Sequence, residues 1–122
     1  MQRSSLFVLF LSVFLASSSA IAQPTDYSNC DITVLFGSYC CGVDRQMETS
    51  FHRFMNSQHN IVQVGDARSF GHEGGYSLCL EVKDNHLDRA FEEISSLFPE
   101  SSKKGYVIVE SLNGHVFQSN WE

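Results

Sequence analysis

The residues best suited to chemistry are four cysteines, Cys30, Cys40, Cys41 and Cys79, in a chain of 122 residues. An even cysteine count in a short exported chain points to disulfides, and four thiols allow three complete pairings. Adjacent residues are held about 3.8 Å apart at Cα, inside the usual span of a disulfide, so a Cys40–Cys41 bond is the pairing least expected. The better expectation is that Cys79 is reached by Cys30 or by one of the adjacent pair. Strand lengths leave the choice open, because Cys79 sits about five residues, at roughly 3.3 Å each, from either end of the first strand. Each such staple stabilises a small core by about 2–4 kcal/mol.

The other chemistry open to these residues belongs to the thiolate. Cys41-Gly42 stands just before a helix start, where the dipole and the free N–H groups lower a thiol pKa. A thiolate binds soft metals and carries out disulfide exchange. Cys40, Cys41 and His86 are therefore the candidate ligands for copper or zinc. A histidine beside Cys41, either His86 or His115 with Asp84 behind it, would instead describe a small thiol hydrolase. No C-x-x-C of the thioredoxin kind is present. Asp44, His72, Glu73 and His115 are candidate binding-loop residues, because short polar tips carry contacts. Glu92-Glu93 and Glu100 have no opposed carboxylate that would suggest glycosidase work.

These residues need elements to hold them. Asp31–Tyr39 alternates apolar and polar residues and reads as a strand. Asp44–Ser57 reads as a helix capped by Asp44, with Met47, Phe51, Phe54 and Met55 on one face. Asn60–Phe70 holds a second strand, Gly71–Gly75 a turn, and Tyr76–Lys83 a third strand. A second helix runs from Asp84-Asn85 to just before Pro99, with an apolar stripe of Leu87, Ala90, Phe91, Ile94, Leu97 and Phe98. Gly105–Leu112 is a fourth strand, and Asn113-Gly114 predicts a type I′ hairpin into a short last strand at His115–Ser119.

The order β-α-β-β-α-β predicts an α+β, ferredoxin-like sandwich, with both helices on one face of an antiparallel sheet ordered 4-1-3-2. The first and third strands are expected to run the same way. That places Cys40–Asp44, Asp84–His86 and Asn113–His115 at one sheet edge and the His72-Glu73 turn at the other. The uncovered sheet face, with Thr33, Leu35, Ser77, Cys79 and Glu81, is a candidate surface for a protein partner or for self-association.

The run Asp31–Phe51 resembles the first strand, metal loop and helix of heavy-metal-associated domains, which share the βαββαβ order and a G-M-x-C-x-x-C loop. Gly37 and Cys40 stand at motif positions. Ser38 stands at the Met, Val43 at the second Cys, and Cys41 comes two positions early. The resemblance is confined to this run and implies Cu(I) or Zn(II) binding by Cys40 and Cys41.

Arg3, the apolar run from Leu6 to Leu15 and the small residues ending Ala20-Ile21-Ala22 have the layout of a secretory signal peptide. The apolar run is about ten residues, half of what spans a bilayer. The expected organisation is a cleaved signal at 1–22, a polar lead-in at 23–30 and one domain at 31–122, periplasmic or extracellular. Eight Lys and Arg stand against 14 Asp and Glu, for a net charge of −6. An acidic domain without a basic stripe is not expected to bind nucleic acid or, once its signal is removed, a membrane. Together these features lead to the expectation of a small exported binding or interaction protein without evident catalytic machinery. Soft-metal or thiol redox chemistry at Cys40-Cys41 is the alternative.

Overall fold

The computed structural model describes residues 30–71 and 73–122. The expected signal peptide, most of the lead-in and His72 lie outside the described residues. In chain order the elements are β1 (Ile32–Ser38), α1 (Arg45–Ser57), β2 (Ile61–Gln63), β3 (Arg68–Phe70), β4 (Gly75–Val82), α2 (Leu87–Ser95), β5 (Ser101–Ser102), β6 (Gly105–Ser111), β7 (Val116–Gln118) and β8 (Asn120–Trp121). The fold is α+β: two helices and a mostly antiparallel sheet.

The main sheet runs β2-β4-β1-β6-β7, with β3 also paired to β4. Alternate residues of its central strands face the helices. Ile32, Val34 and Phe36 of β1, Leu78 and Leu80 of β4, and Val107 and Val109 of β6 are buried with Met47 and Phe51 of α1 and Ala90 and Ile94 of α2. Phe36 lies at the centre, edge-on to Phe51 at 5.6 Å and to Phe98 at 5.9 Å. Such edge-to-face contacts add to the burial of large apolar rings. The two apolar helix faces read from the sequence are the ones that pack.

Four local expectations change. The second strand is split, because Gly65 turns at φ 72° and the chain from Gln63 to Arg68 faces only Leu80 to Ser77 across β4. The extra residues bulge out of the ladder. The second helix begins at Leu87, since Asn85 adopts φ 54°, a left-handed conformation that helical residues do not take. Residues 112–115 connect β6 to β7, with the Gly114 N–H donating to the Ser111 carbonyl and the Ser111 N–H to that of His115. Gly114 has positive φ and Asn113 does not, so the turn is not type I′. The pair β5–β8, parallel and separate from the main sheet, had no signal in the sequence.

The direction of the third strand is a larger correction. β1 pairs antiparallel with β4, Ile32 opposite Leu80 and Phe36 opposite Tyr76, and antiparallel with β6, Ile32 opposite Ser111 and Ser38 opposite Gly105. The loop after β1, the Gly71–Gly75 turn and the turn into β6 therefore share one edge, here the upper one. The start of α2 and the β6–β7 turn share the lower edge. Taking these two antiparallel neighbours as parallel, as the strand pattern alone allows, exchanges the partners of the cysteine loop.

Candidate functional site

The same register settles the first disulfide. Cys79 lies opposite Thr33, on the sheet face turned away from the helices. Cys30, just before β1, reaches it with a Cα–Cα distance of 5.4 Å, and both residues are buried. Antiparallel pairing supplies the approach that strand length alone left undecided. Cys40 and Cys41 are bonded to each other, the pairing least expected from the sequence. With Cys30 committed to Cys79, their nearest thiol partners are one another.

The loop that carries Cys40–Cys41 is tied at both ends. The Gly42 N–H donates to Ser38 Oγ at 2.9 Å, and Gly42 takes φ 111°, open to it because it has no Cβ. Asp44 caps α1, its Oδ1 accepting from the backbone N–H of Gln46 at 2.9 Å and of Met47 at 3.4 Å. Its Oδ2 accepts from Ser102 Oγ at 2.9 Å. Both carboxylate oxygens are engaged in a buried position, so Asp44 positions the loop from within.

Ser102 extends that link to the next segment. Its Oγ also accepts from the Lys104 N–H at 3.2 Å, and its strand is held by β8. Gly105 follows at a close approach of three segments, where a Cβ would meet the Gly37 carbonyl oxygen at 2.6 Å and the Asp44 nitrogen at 3.0 Å. Lys103 and Lys104 are thereby brought beside the start of α1.

A cleft of about 440 Å³ results. Cys40, Cys41, Gly42 and Val43 line it from the loop, Arg45 and Gln46 from the first turn of α1, and Lys103 and Lys104 from the turn before β6. Three cations and no carboxylate face it, and among the described residues no ion pair engages Arg45, Lys103 or Lys104. The two cysteines are exposed. Tyr39 flanks them, edge-on to Trp121 at 4.4 Å and 5.2 Å from the ring of Tyr106. Two other clefts differ in sign: one near His86 mixes Asp84, Arg89 and Glu93, and one between α2 and β7 carries Glu92 and Glu100 without a cation.

The remaining candidates are dispersed. His86, at the start of α2, stands at the lower edge, away from Cys40–Cys41, and makes no side-chain cap. His115 is also at the lower edge, stacked on Phe91 at 5.5 Å with its Nε2 3.3 Å from Asp88 Oδ1, which also accepts from Asn113 Nδ2. Neither histidine is placed to serve a nucleophile at Cys41. Glu73 is exposed and lies at the upper edge, the same edge as the cysteine loop. Of the sheet face proposed for partners, Glu81 is exposed and Thr33 and Leu35 are half-buried, but Ser77 and Cys79 are already buried. Among the described residues no three His, Cys, Asp or Glu side chains converge as a metal site, and no helix is long and apolar enough to cross a membrane.

Tyr76 joins the sheet to α1 under this edge. Its hydroxyl donates to Glu48 Oε2 at 2.5 Å. Burial pushes the phenol pKa well above its ordinary value, and the hydrogen bond to Glu48 and that residue's charge add to the rise.

The sequence reading missed Arg45, Lys103 and Lys104. The signal available was that Lys103-Lys104 is the chain's one adjacent basic pair and that Arg45 directly follows the helix cap. The link between the two passes through Ser102 and β8, which carry no motif. Comparison with protein-family models, with curated proteins and with solved structures finds no match for this chain.

Proposed function

We propose that this chain is an exported, ferredoxin-like α+β binding module that takes a small anionic molecule in the upper-edge cleft. The observation that carries the reading is the gathering of Arg45, Lys103 and Lys104 around one concave site in a chain of net charge −6. Like charges held together repel, and an anion seated among them relieves that repulsion while gaining charge-assisted hydrogen bonds. The cleft volume falls in the range of small-molecule sites, roughly 300–1,000 Å³.

The central strand order β6-β1-β4-β2, with both helices packed into one core, supports the ferredoxin-like assignment. The leader-like run up to Ala22 and the buried Cys30–Cys79 disulfide support export, since such bonds persist in oxidising compartments. Self-association through the other sheet face has less support, because the Cys30–Cys79 pair already fills part of it.

The test is an amide chemical-shift titration of the labelled protein with citrate, with glucose as a neutral control and spermidine as a cationic one. Citrate is expected to move the resonances of Gly42, Arg45, Gln46 and Lys104, and Lys103→Gln/Lys104→Gln to abolish the effect. Equal shifts with glucose, or none with citrate, would discard the anion site.

A further inference from the structure

The two disulfides of this chain differ in their access to solvent and in the charge around them, and the difference assigns an activity to one of them. Cys30–Cys79 is buried, so a thiolate cannot approach in line with its S–S bond. Cys40–Cys41 is exposed on the rim of an open cleft. Its cysteines are adjacent in the chain. Exposed disulfides are the more readily reduced.

The surroundings favour the products of opening. Exchange releases one sulfur as a thiolate, and its rate rises as that leaving thiol's pKa falls. Arg45, Lys103 and Lys104 line the same cleft, and α1 starts three residues after Gly42. Nearby cations and a helix N-terminus both stabilise thiolate. The same cations draw in an anionic thiol and repel a cationic one.

We propose that Cys40–Cys41 is a redox-active disulfide that oxidises thiols bearing negative charge. A substrate thiolate attacks one of the two sulfurs, forming a mixed disulfide, and the S–S electron pair leaves with the other sulfur. A second substrate thiolate, from the same dithiol or from another molecule, attacks the substrate sulfur and releases the second cysteine. Two electrons and two protons pass in total: the substrate thiols become a disulfide, and Cys40 and Cys41 become thiols. Cys30–Cys79 stays closed throughout. The activity shares its cleft with the proposed binding function and does not need a non-thiol anion to bind there.

The experiment treats the oxidised protein with limiting dithiothreitol, a neutral dithiol, and maps the free thiols by alkylation and peptide mass. Cys40 and Cys41 should be alkylated while Cys30 and Cys79 remain bonded. Simultaneous opening of both pairs, or opening of Cys30–Cys79 first, overturns the proposal. The charge preference is measured separately, as rates of opening by glutathione, which is anionic, and by cysteamine, which is cationic, each corrected for thiolate fraction. Glutathione should be faster by about tenfold at low salt. The ratio should fall towards one at about 1 M salt, where charges are screened beyond roughly 3 Å. It should also fall in Lys103→Gln/Lys104→Gln, whose exposed positions leave folding intact. Equal rates in the unmodified protein overturn the substrate class. Silence of the citrate titration alongside a retained glutathione preference discards the binding reading alone, whereas citrate shifts alongside a closed Cys40–Cys41 discard this one alone.

Discussion

Cys30–Cys79 and Cys40–Cys41 are the same covalent bond put to opposite physical use. The first joins residues 49 apart in sequence and is buried against the sheet. Closing a loop of that length removes conformational freedom from the unfolded chain, which in the chain-entropy account stabilises the fold by about 4 kcal/mol. The second joins neighbours and closes only an eight-membered ring, so the unfolded chain loses little to it. What it has instead is exposure, a cleft and three cations. A crosslink's contribution to stability comes from the separation of its ends, and its reactivity from its access and its surroundings.

The sharpest way to break that comparison is to remove each bond in turn. Cys30→Ser/Cys79→Ser should cost about 4 kcal/mol, lowering the urea midpoint or abolishing folding, whereas Cys40→Ser/Cys41→Ser should change stability by under about 0.5 kcal/mol. Similar losses in the two variants would mean that the cysteine loop is part of the core, contrary to its exposure.

A smaller effect tests what holds the reactive loop without touching its sulfurs. Asp44→Ala removes the cap of α1 and the acceptor of Ser102, and should destabilise by about 1–2 kcal/mol. Amide exchange should quicken at Gln46 and Met47 and also at Lys104, since one carboxylate links both segments. Quickening confined to α1 would separate the lysine turn from the loop.

The smallest effect lies below the cleft, at Tyr76. Tyr76→Phe should cost about 1 kcal/mol at neutral pH through loss of the bond to Glu48. The raised phenol pKa gives a sign for alkaline pH. The unfolded chain releases this proton near pH 10 and the folded chain holds it, so folding binds the extra proton and stability falls as pH rises above about 10. The stabilisation is fully present below that pH. Urea unfolding at about pH 9 and about pH 11 should show a steeper loss for the unmodified protein than for Tyr76→Phe. Parallel losses would assign the alkaline slope to other groups.

The parts legible in the sequence were those written in periodicity and in local capping. The apolar stripes of α1 and α2, the cap at Asp44 and the alternation in β1 all follow from spacing along one element and are found, although α2 ends at Ser95 and leaves Leu97 and Phe98 of its stripe in the turn beyond it. Strand direction was not legible in the same way. The pattern Tyr76, Leu78, Leu80 gives a buried face whichever way the strand runs, and only the ladder with β1 sets its sense. Reversing it put His86 and His115 beside the cysteines and sent Glu73 to the far edge. The cationic cleft was hidden for a related reason. Lys103 and Lys104 meet Arg45 through Ser102, the close approach at Gly105 and a two-residue parallel pairing, and none of these has a sequence signature.

Gly37 and Tyr106 are opposite residues on β1 and β6, and a Cβ on Gly37 would come within 2.0–2.4 Å of three atoms of the tyrosine ring. This packing accounts for the glycine without reference to any metal loop. The two positions therefore share one volume: a side chain at position 37 fits only where the ring at position 106 is absent or swings aside, so the glycine on one strand is the room for the tyrosine on the next.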